Sequence, residues 1–286
     1  MDLQEYRYDG SQRLCLKALP TGADPSAKKK DLVARMEENM AQCVLLQEKL
    51  YAAGTEGLVI AIQARDAAGK DSLIKKVFGK LNPAALEVHS FKTPSKEELA
   101  HDYLWRLVKC LPARGKIAVF NRSHYEDVLV TRVHQMEKGY AMPERVTADP
   151  DFYLKRYTQL KNWEQYLYEN GYRVVKLLLN VGKDEQRRRF IDRMELSEKH
   201  WKLSLGDLQE RALWEEYGAA YEDAVNHTAT TKAPWYVLPA DDKWYTRYLV
   251  SEILLQTLTA MAPEYPALDP EEAARIPQAL RDLEAE

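Results

Sequence analysis

The chain has 286 residues, 45% hydrophobic and 30% charged, with a formal net charge of −3. At this length roughly three quarters of the unfolded chain's surface can be buried, so disordered and fibrous classes are excluded and one large core is feasible. No apolar run approaches the roughly 20 residues that cross a bilayer, Met1-Asp2-Leu3-Gln4-Glu5 does not open a leader peptide, and cytoplasm is the expected compartment.

Residues 1–27 read as an arm with a turn-rich middle at Pro20-Thr21-Gly22-Ala23-Asp24-Pro25. A helix follows, because Leu32, Met36, Met40, Cys43, Val44 and Leu50 recur at steps of three and four and Gly54 supplies a stop. Leu58-Val59-Ile60-Ala61-Ile62 is a continuous apolar run of strand length, the pattern of a strand buried on both faces of a parallel sheet. Segments 86–90, 117–120, 174–179 and 235–238 have the same character. Between them Ser95-Lys96-Glu97-Glu98 has the form of a capping box, and an amphipathic helix runs from Asp149-Pro150 to Gly171. Strands alternating with helices predict an α/β fold, a doubly wound parallel sheet of about five strands flanked by helices, with ligands at the strands' carboxyl ends.

Cys15, Cys43 and Cys110 are odd in number and never paired as C-x-x-C, which argues against a disulfide framework or a thiolate metal site. Charge is unevenly spread. Residues 264–286 carry seven acidic and two basic side chains, a net of −5, which leaves +2 of the total −3 for the preceding chain. Such a mildly basic body does not predict general nucleic-acid coating.

Ala64-Arg65-Asp66-Ala67-Ala68-Gly69-Lys70-Asp71 follows the first buried strand and opens a helix, the context of a phosphate-binding loop. Backbone N–H groups at the helix start, over Ala67, Ala68 and Gly69, can cradle phosphate oxygens, and Lys70 can reach across them. Two positions depart from G-x-x-x-x-G-K-[ST]: Ala64 stands at the first glycine and Asp71 at the magnesium-binding hydroxyl, with Ser72 adjacent. A strand-to-helix turn ending in a surface lysine fits the same residues. Asp66 would be repelled by phosphate unless a cation lay between them, so it is either a Mg²⁺ ligand or a solvated turn residue.

The third strand ends in Phe120-Asn121-Arg122-Ser123-His124-Tyr125-Glu126-Asp127. Beside the first strand this segment would lie over the phosphates, Arg122 supplying positive charge and Glu126 and Asp127 negative charge for a metal. Asn121 takes the place of the usual Walker B aspartate, so metal binding falls to Asp66 and Asp127; a charged loop after a buried strand is the plainer reading. Lys75, Lys76 and Lys80 extend along the next helix. Gln186-Arg187-Arg188-Arg189-Phe190-Ile191-Asp192-Arg193 begins a second basic stretch, with Arg189 and Arg193 on one helical face. Solubility explains any one of these charges, whereas two basic stretches beside a phosphate loop fit a lid closing over a polyanion. The histidines show no triad or metal grouping and read as structural, with His124 set apart by location, and the tryptophans read as core.

These ordered motifs resemble the polyphosphate kinase 2 family, P-loop phosphotransferases that move phosphate between inorganic polyphosphate and nucleotides. The match runs from about Lys30 to Ala260 and takes in Gln63 to Ser72, Phe91-Lys92-Thr93-Pro94-Ser95, His101-Asp102-Tyr103-Leu104-Trp105-Arg106, Arg187-Arg188-Arg189-Phe190, Trp201-Lys202-Leu203-Ser204 and Ala233-Pro234-Trp235. Phe120 to Asp127 is similar to the form in the class III subgroup, which accepts both AMP and ADP. The resemblance implies a P-loop kinase-like sheet in one domain over 28–260, with a helical lid at about 182–206 and an acidic tail over 261–286. It implies Asp66 at metal and phosphate, Lys70 at the transferring phosphate, and Arg122 at phosphate charge. Asn121, Glu126 and Asp127 are implied at the metal and acceptor side, and Arg188, Arg189 and Arg193 as lid contacts. Ala64 departs from the family's glycine, which bears on the loop's backbone freedom. The implied cofactor is Mg²⁺ or Mn²⁺. The implied partners are inorganic polyphosphate, AMP, ADP and ATP, with guanine nucleotides as further candidates, no nucleic acid, no membrane, and a homo-oligomer, dimer or tetramer. An ATP-dependent nucleoside monophosphate or small-molecule kinase would share the sheet, loop and lid. A non-catalytic nucleotide-dependent module would turn the basic stretches to RNA or a protein partner.

Overall fold

A computed structural model describes residues 3–202, 204 and 206–286. Strands β1 (Arg7–Tyr8), β2 (Gly57–Ala64), β3 (Leu86–Ser90), β4 (Ile117–Asn121), β5 (Tyr172–Asn180) and β6 (Trp235–Pro239) form one sheet in the order β1-β6-β5-β2-β4-β3. All five expected strands are present and mutually parallel. The sheet gains a sixth strand from the arm, where Arg7 and Tyr8 pair antiparallel with Tyr236 and Trp235. A two-residue strand carries no readable periodicity, and its pairing partners lie far away in sequence.

The helices in chain order are α1 (Lys29–Ala53), α2 (Lys70–Lys76), α3 (Lys96–Leu99), α4 (Trp105–Val108), α5 (Val130–His134) and α6 (Glu144–Thr147). They continue with α7 (Phe152–Glu169), α8 (Lys183–Glu195), α9 (Gly206–Ala212), α10 (Trp214–Thr228), α11 (Lys243–Met261) and α12 (Pro270–Glu284). Gly54 ends α1 in the left-handed region at φ 61°, its N–H reaching Leu50 O. Ser95 and Glu98 exchange both bonds of the expected capping box at α3. Leu203, within the Trp201-Lys202-Leu203-Ser204 motif, lies outside the described residues.

Every residue of β2 is buried, because the sheet is covered on both faces. Leu58, Ile60 and Ile62 pack with Met40 and Cys43 of α1 and Leu249 and Ile253 of α11. Val59 faces the opposite layer with Phe120 and Leu167, the alternation that period-two strand geometry dictates. Among the described residues no helix is long and apolar enough to cross a membrane. The acidic tail forms α12, capped by Asp269 and exposed along its length.

A buried charge pair sits inside the second layer. Lys176 of β5 donates to Glu164 Oε2 of α7 at 2.6 Å, to Thr228 O at 2.9 Å and to Tyr125 OH at 3.2 Å, while Lys176 and Glu164 are 0% and 1% exposed. Burial pushes the Lys176 ammonium down, and Glu164 opposes it. Removing one partner of such a pair strands the other charge in the core, at a cost of about 3–5 kcal/mol. Lys176→Met alone is therefore expected to lower Tm by on the order of 10 °C in a thermal melt.

Candidate active site

The loop between β2 and α2 turns on left-handed residues. Ala67 has φ 60° and Gly69 φ 112°. Ala64, by contrast, ends β2 in extended conformation, so its departure from glycine carries no backbone penalty. Lys70 opens α2, is half-buried, and donates to Ala64 O at 2.9 Å, which folds its ammonium back across the loop. Burial pushes the ammonium down to about 8, helped by Arg122 and opposed by Asp66 and Glu126. Asp71 points to the neighbouring strand end, accepting from Asn121 Nδ2 at 3.0 Å with Lys202 Nζ at 3.5 Å. Ser72 turns its hydroxyl the other way, to Arg247 of α11 at 2.6 Å.

β4 lies beside β2 and ends in a second strained turn, with Arg122 at φ 64° and its N–H bonded to Ile62 O. A left-handed backbone at a non-glycine residue costs about 1–3 kcal/mol and persists only where the surroundings hold it. The Arg122 guanidinium spans two carboxylates, reaching Asp66 Oδ1 at 2.7 Å and Glu126 Oε2 at 3.1 Å. Glu126, then Asp66, push the guanidinium further above its ordinary value. A cleft opens beside this trio, with Arg65, Trp214 and Tyr221 on its walls, and Arg65 stacks on the Trp214 ring at 4.0 Å.

Residues 26–266 match the family profile described as Polyphosphate kinase 2 (PPK2). The chain belongs to the polyphosphate kinase 2 family. It is 39% identical over 285 residues to an ADP-polyphosphate phosphotransferase of Rhodopseudomonas palustris, covering 98% of each chain. It is 45% identical over 221 residues to an AMP/ADP-polyphosphate phosphotransferase of Meiothermus ruber, covering 77% of this chain and 79% of that protein. The crystal structure of polyphosphate kinase 2 from Arthrobacter aurescens aligns with a TM-score of 0.87 and 37% identity, over 97% of this chain and 96% of that one.

Within this family member, Asp127 stands apart from the place the sequence suggests. The segment His124–Val128 is a 3₁₀ turn, in which successive side chains step by about 120°, so adjacent residues face different ways. Glu126 meets Arg122, whereas Asp127 is buried, and its carboxyl is pushed up to about 6 by burial against the pull of Arg156 and Arg106. Glu126, and not Asp127, is the carboxylate that shares Arg122 with Asp66. Among the described residues no three acidic, histidine or cysteine side chains gather as a metal cluster.

The arginines of the second basic stretch also divide. Arg189 is buried and has all five donors engaged by protein: Glu185, the carbonyls of Ala67 and Ala68, and those of Ala240 and Asp241. It braces the phosphate loop from beneath and offers no donor outward in this conformation. Arg188 is exposed and paired with Glu185 and Asp192 on its own helix. Arg193 reaches Asp207 of α9 at 3.1 Å. Lys75 and Lys76 are exposed on α2, and Lys80 pairs with Glu37 of α1.

Several contributors escape the sequence reading. Burial, then Asp66, pushes the Asp207 carboxyl up against Arg193, Arg122 and Lys70, which places it in the same electrostatic neighbourhood. Gln186 donates to Asp66 O at 2.9 Å. Lys243 is pushed down by burial and by Arg189, Arg247 and Lys199, so a cluster of cations flanks the loop from α11. Lys243 and Arg247 follow the carboxyl end of β6 at a helical step of four, the signal that could have found them.

Proposed function

We propose that the protein transfers the terminal phosphoryl group of inorganic polyphosphate to ADP, forming ATP, and to AMP, forming ADP, with Mg²⁺ or Mn²⁺ and in either direction. The observation that carries this reading is the pair of cations at the ends of neighbouring strands: Lys70 is held down partly by Arg122. A phosphate placed between them relieves that repulsion and gains both charges. The names of the relatives from Rhodopseudomonas palustris and Meiothermus ruber favour polyphosphate as the donor.

Asp66 and Glu126 are oxygen donors of the type a hard cation takes, and both lie on one guanidinium, so these two side chains together with phosphate oxygens would hold the metal. When bound, the ion supplies charge neutralisation between the two polyanions. An oxygen on the nucleotide's terminal phosphate attacks the end phosphorus of the chain. The P–O bond to the next phosphorus breaks, and the shortened chain leaves with the electron pair. That acceptor oxygen is already ionised near neutrality, so Glu126 has no proton to take. Lys70 and Arg122 stabilise the charge that builds in transfer. Arg188 and Arg193 are the lid residues free to exchange carboxylate partners for phosphate. Lys75, Lys76, Lys243 and Arg247 extend the positive surface for the rest of the chain. Guanine nucleotides as further acceptors, a homo-oligomer and a cytoplasmic location belong to the same reading.

Incubation with ADP, Mg²⁺ and long-chain polyphosphate, without any other triphosphate, tests the donor. ATP is the expected product; a clean negative overturns the reading, and phosphorylation only with ATP as donor indicates an ordinary nucleotide or small-molecule kinase. Lys70 also sets a pH dependence. Its folded value of about 8 lies below the ordinary 10.5, so the free enzyme loses the required proton as pH rises past about 8. The kcat/KM for polyphosphate is expected to fall above that pH. Between the two values the unfolded chain binds more protons than the folded one, so this group's contribution to stability rises with pH while activity declines.

A further inference from the structure

We propose that Glu164, Lys176 and Tyr125, with His124, are positioning residues for the acceptor side of the site, an inference that rests on the phosphoryl transfer proposed above. From Arg122 to Glu126 the burial alternates in a telling way: Arg122 and Glu126 are partly exposed, and Ser123, His124 and Tyr125 between them are buried. Arg122, which holds Asp66, and Glu126, which pairs with Arg122, are thus presented by three inward anchors, and each anchor is fastened by directional hydrogen bonds.

Ser123 Oγ accepts from Gln63 Nε2 of β2 at 3.0 Å, which ties the turn to the strand bearing the phosphate loop. His124 Nε2 lies 3.1 Å from Glu164 Oε1. Its Nδ1 meets no partner among the described residues, so the contact with Glu164 is the polar bond that orients the ring. Tyr125 OH donates to the same Glu164 oxygen at 2.8 Å and lies 2.9 Å from Thr228 Oγ1 of α10. The second Glu164 oxygen is filled by Lys176 at 2.6 Å. With both oxygens occupied the carboxylate has one orientation, and it receives two consecutive residues of the turn.

Apolar packing alone would fill this volume without an ion pair, whose burial is costly. Hydrogen bonds to a fixed carboxylate add something packing does not: they set the rotation of the turn about its own axis. A small rotation there carries Glu126 away from Arg122 and changes the aim of Arg122 at phosphate. Misplacement of this order at a reacting centre is known to reduce turnover strongly, because proximity and orientation supply much of the rate.

The test compares three proteins: the parent, Tyr125→Phe, and the double variant Glu164→Leu with Lys176→Met. The double variant removes both charges together, leaving none stranded, and is expected to melt within about 5 °C of the parent. Tyr125→Phe removes one hydroxyl and serves if the double variant does not fold. Expected for the folded double variant is a kcat for ATP formation lower by about tenfold or more, with ADP affinity by calorimetry weakened about fivefold and tripolyphosphate affinity within about twofold of the parent. Tyr125→Phe is expected to show the same selective pattern with smaller amplitude. Parent-like kcat and ADP affinity in either folded variant would overturn the positioning role, and so would an equal loss of affinity for ADP and tripolyphosphate, which marks general loosening. A parent that forms no ATP would overturn the functional reading instead; parent-like variants of an active parent overturn this inference alone.

Discussion

Lys70→Ala is expected to reduce ATP formation from ADP and polyphosphate at least about a thousandfold, or ~4 kcal/mol of transition-state stabilisation. The ammonium is half-buried at the mouth of α2 and folded back across the loop onto Ala64 O. Its field acts where surrounding protein screens it poorly, so its removal cannot be compensated by water or by the exposed Lys75 and Lys76. The fold is expected to hold, because burial already disfavours the charged form and the variant removes a costly ion. A single-turnover assay beside a thermal melt separates the two effects. Activity within tenfold of the parent would show that residues 64–71 are a structural turn and not a phosphate cradle.

Arg122 has a comparable expected effect for a different reason. It is one guanidinium serving two carboxylates, at 2.7 Å from Asp66 and 3.1 Å from Glu126. Loss of the fork leaves those carboxylates facing incoming phosphate without a counter-charge, so the barrier rises by repulsion as well as by lost attraction. Arg122→Lys is expected to remain about a hundredfold or more below the parent, because an ammonium is a point charge without the planar fork. Arg122→Gly separates charge from backbone strain. At φ 64° glycine is relaxed where arginine is strained, which offsets part of the two lost ion pairs, so Tm is expected to fall by no more than about 5 °C while turnover falls about a thousandfold. Stopped-time assays of both variants at saturating polyphosphate decide this; a glycine variant with near-parental turnover would remove Arg122 from the transfer step.

The phosphate loop was legible because its signal is local. Apolar strand, short glycine-bearing turn, lysine and amphipathic helix follow one another within about twenty residues, and backbone preferences alone bring their polar atoms together. The neighbouring Arg122 segment was legible by one further step, since a parallel α/β sheet places successive strand ends along a common edge. Asp127 faces away from Glu126 because adjacency in sequence says nothing about facing once the chain enters a 3₁₀ turn.

Amino-acid order therefore suffices to place the strands, the principal helices and the loop, because apolar period, breaks and turn residues are local patterns along the chain. Folding in three dimensions was needed to assign Arg189 to the underside of the loop, since its carbonyl partners at Ala67, Ala68, Ala240 and Asp241 come from two distant segments. The same holds for β1 against β6, for Asp207 and Lys243 beside the site, and for the carboxylate of Glu164 under the Arg122 turn. In each case a polar group cut off from water must find its partner wherever packing puts one, and hydrophobic pattern along the chain carries no record of that meeting.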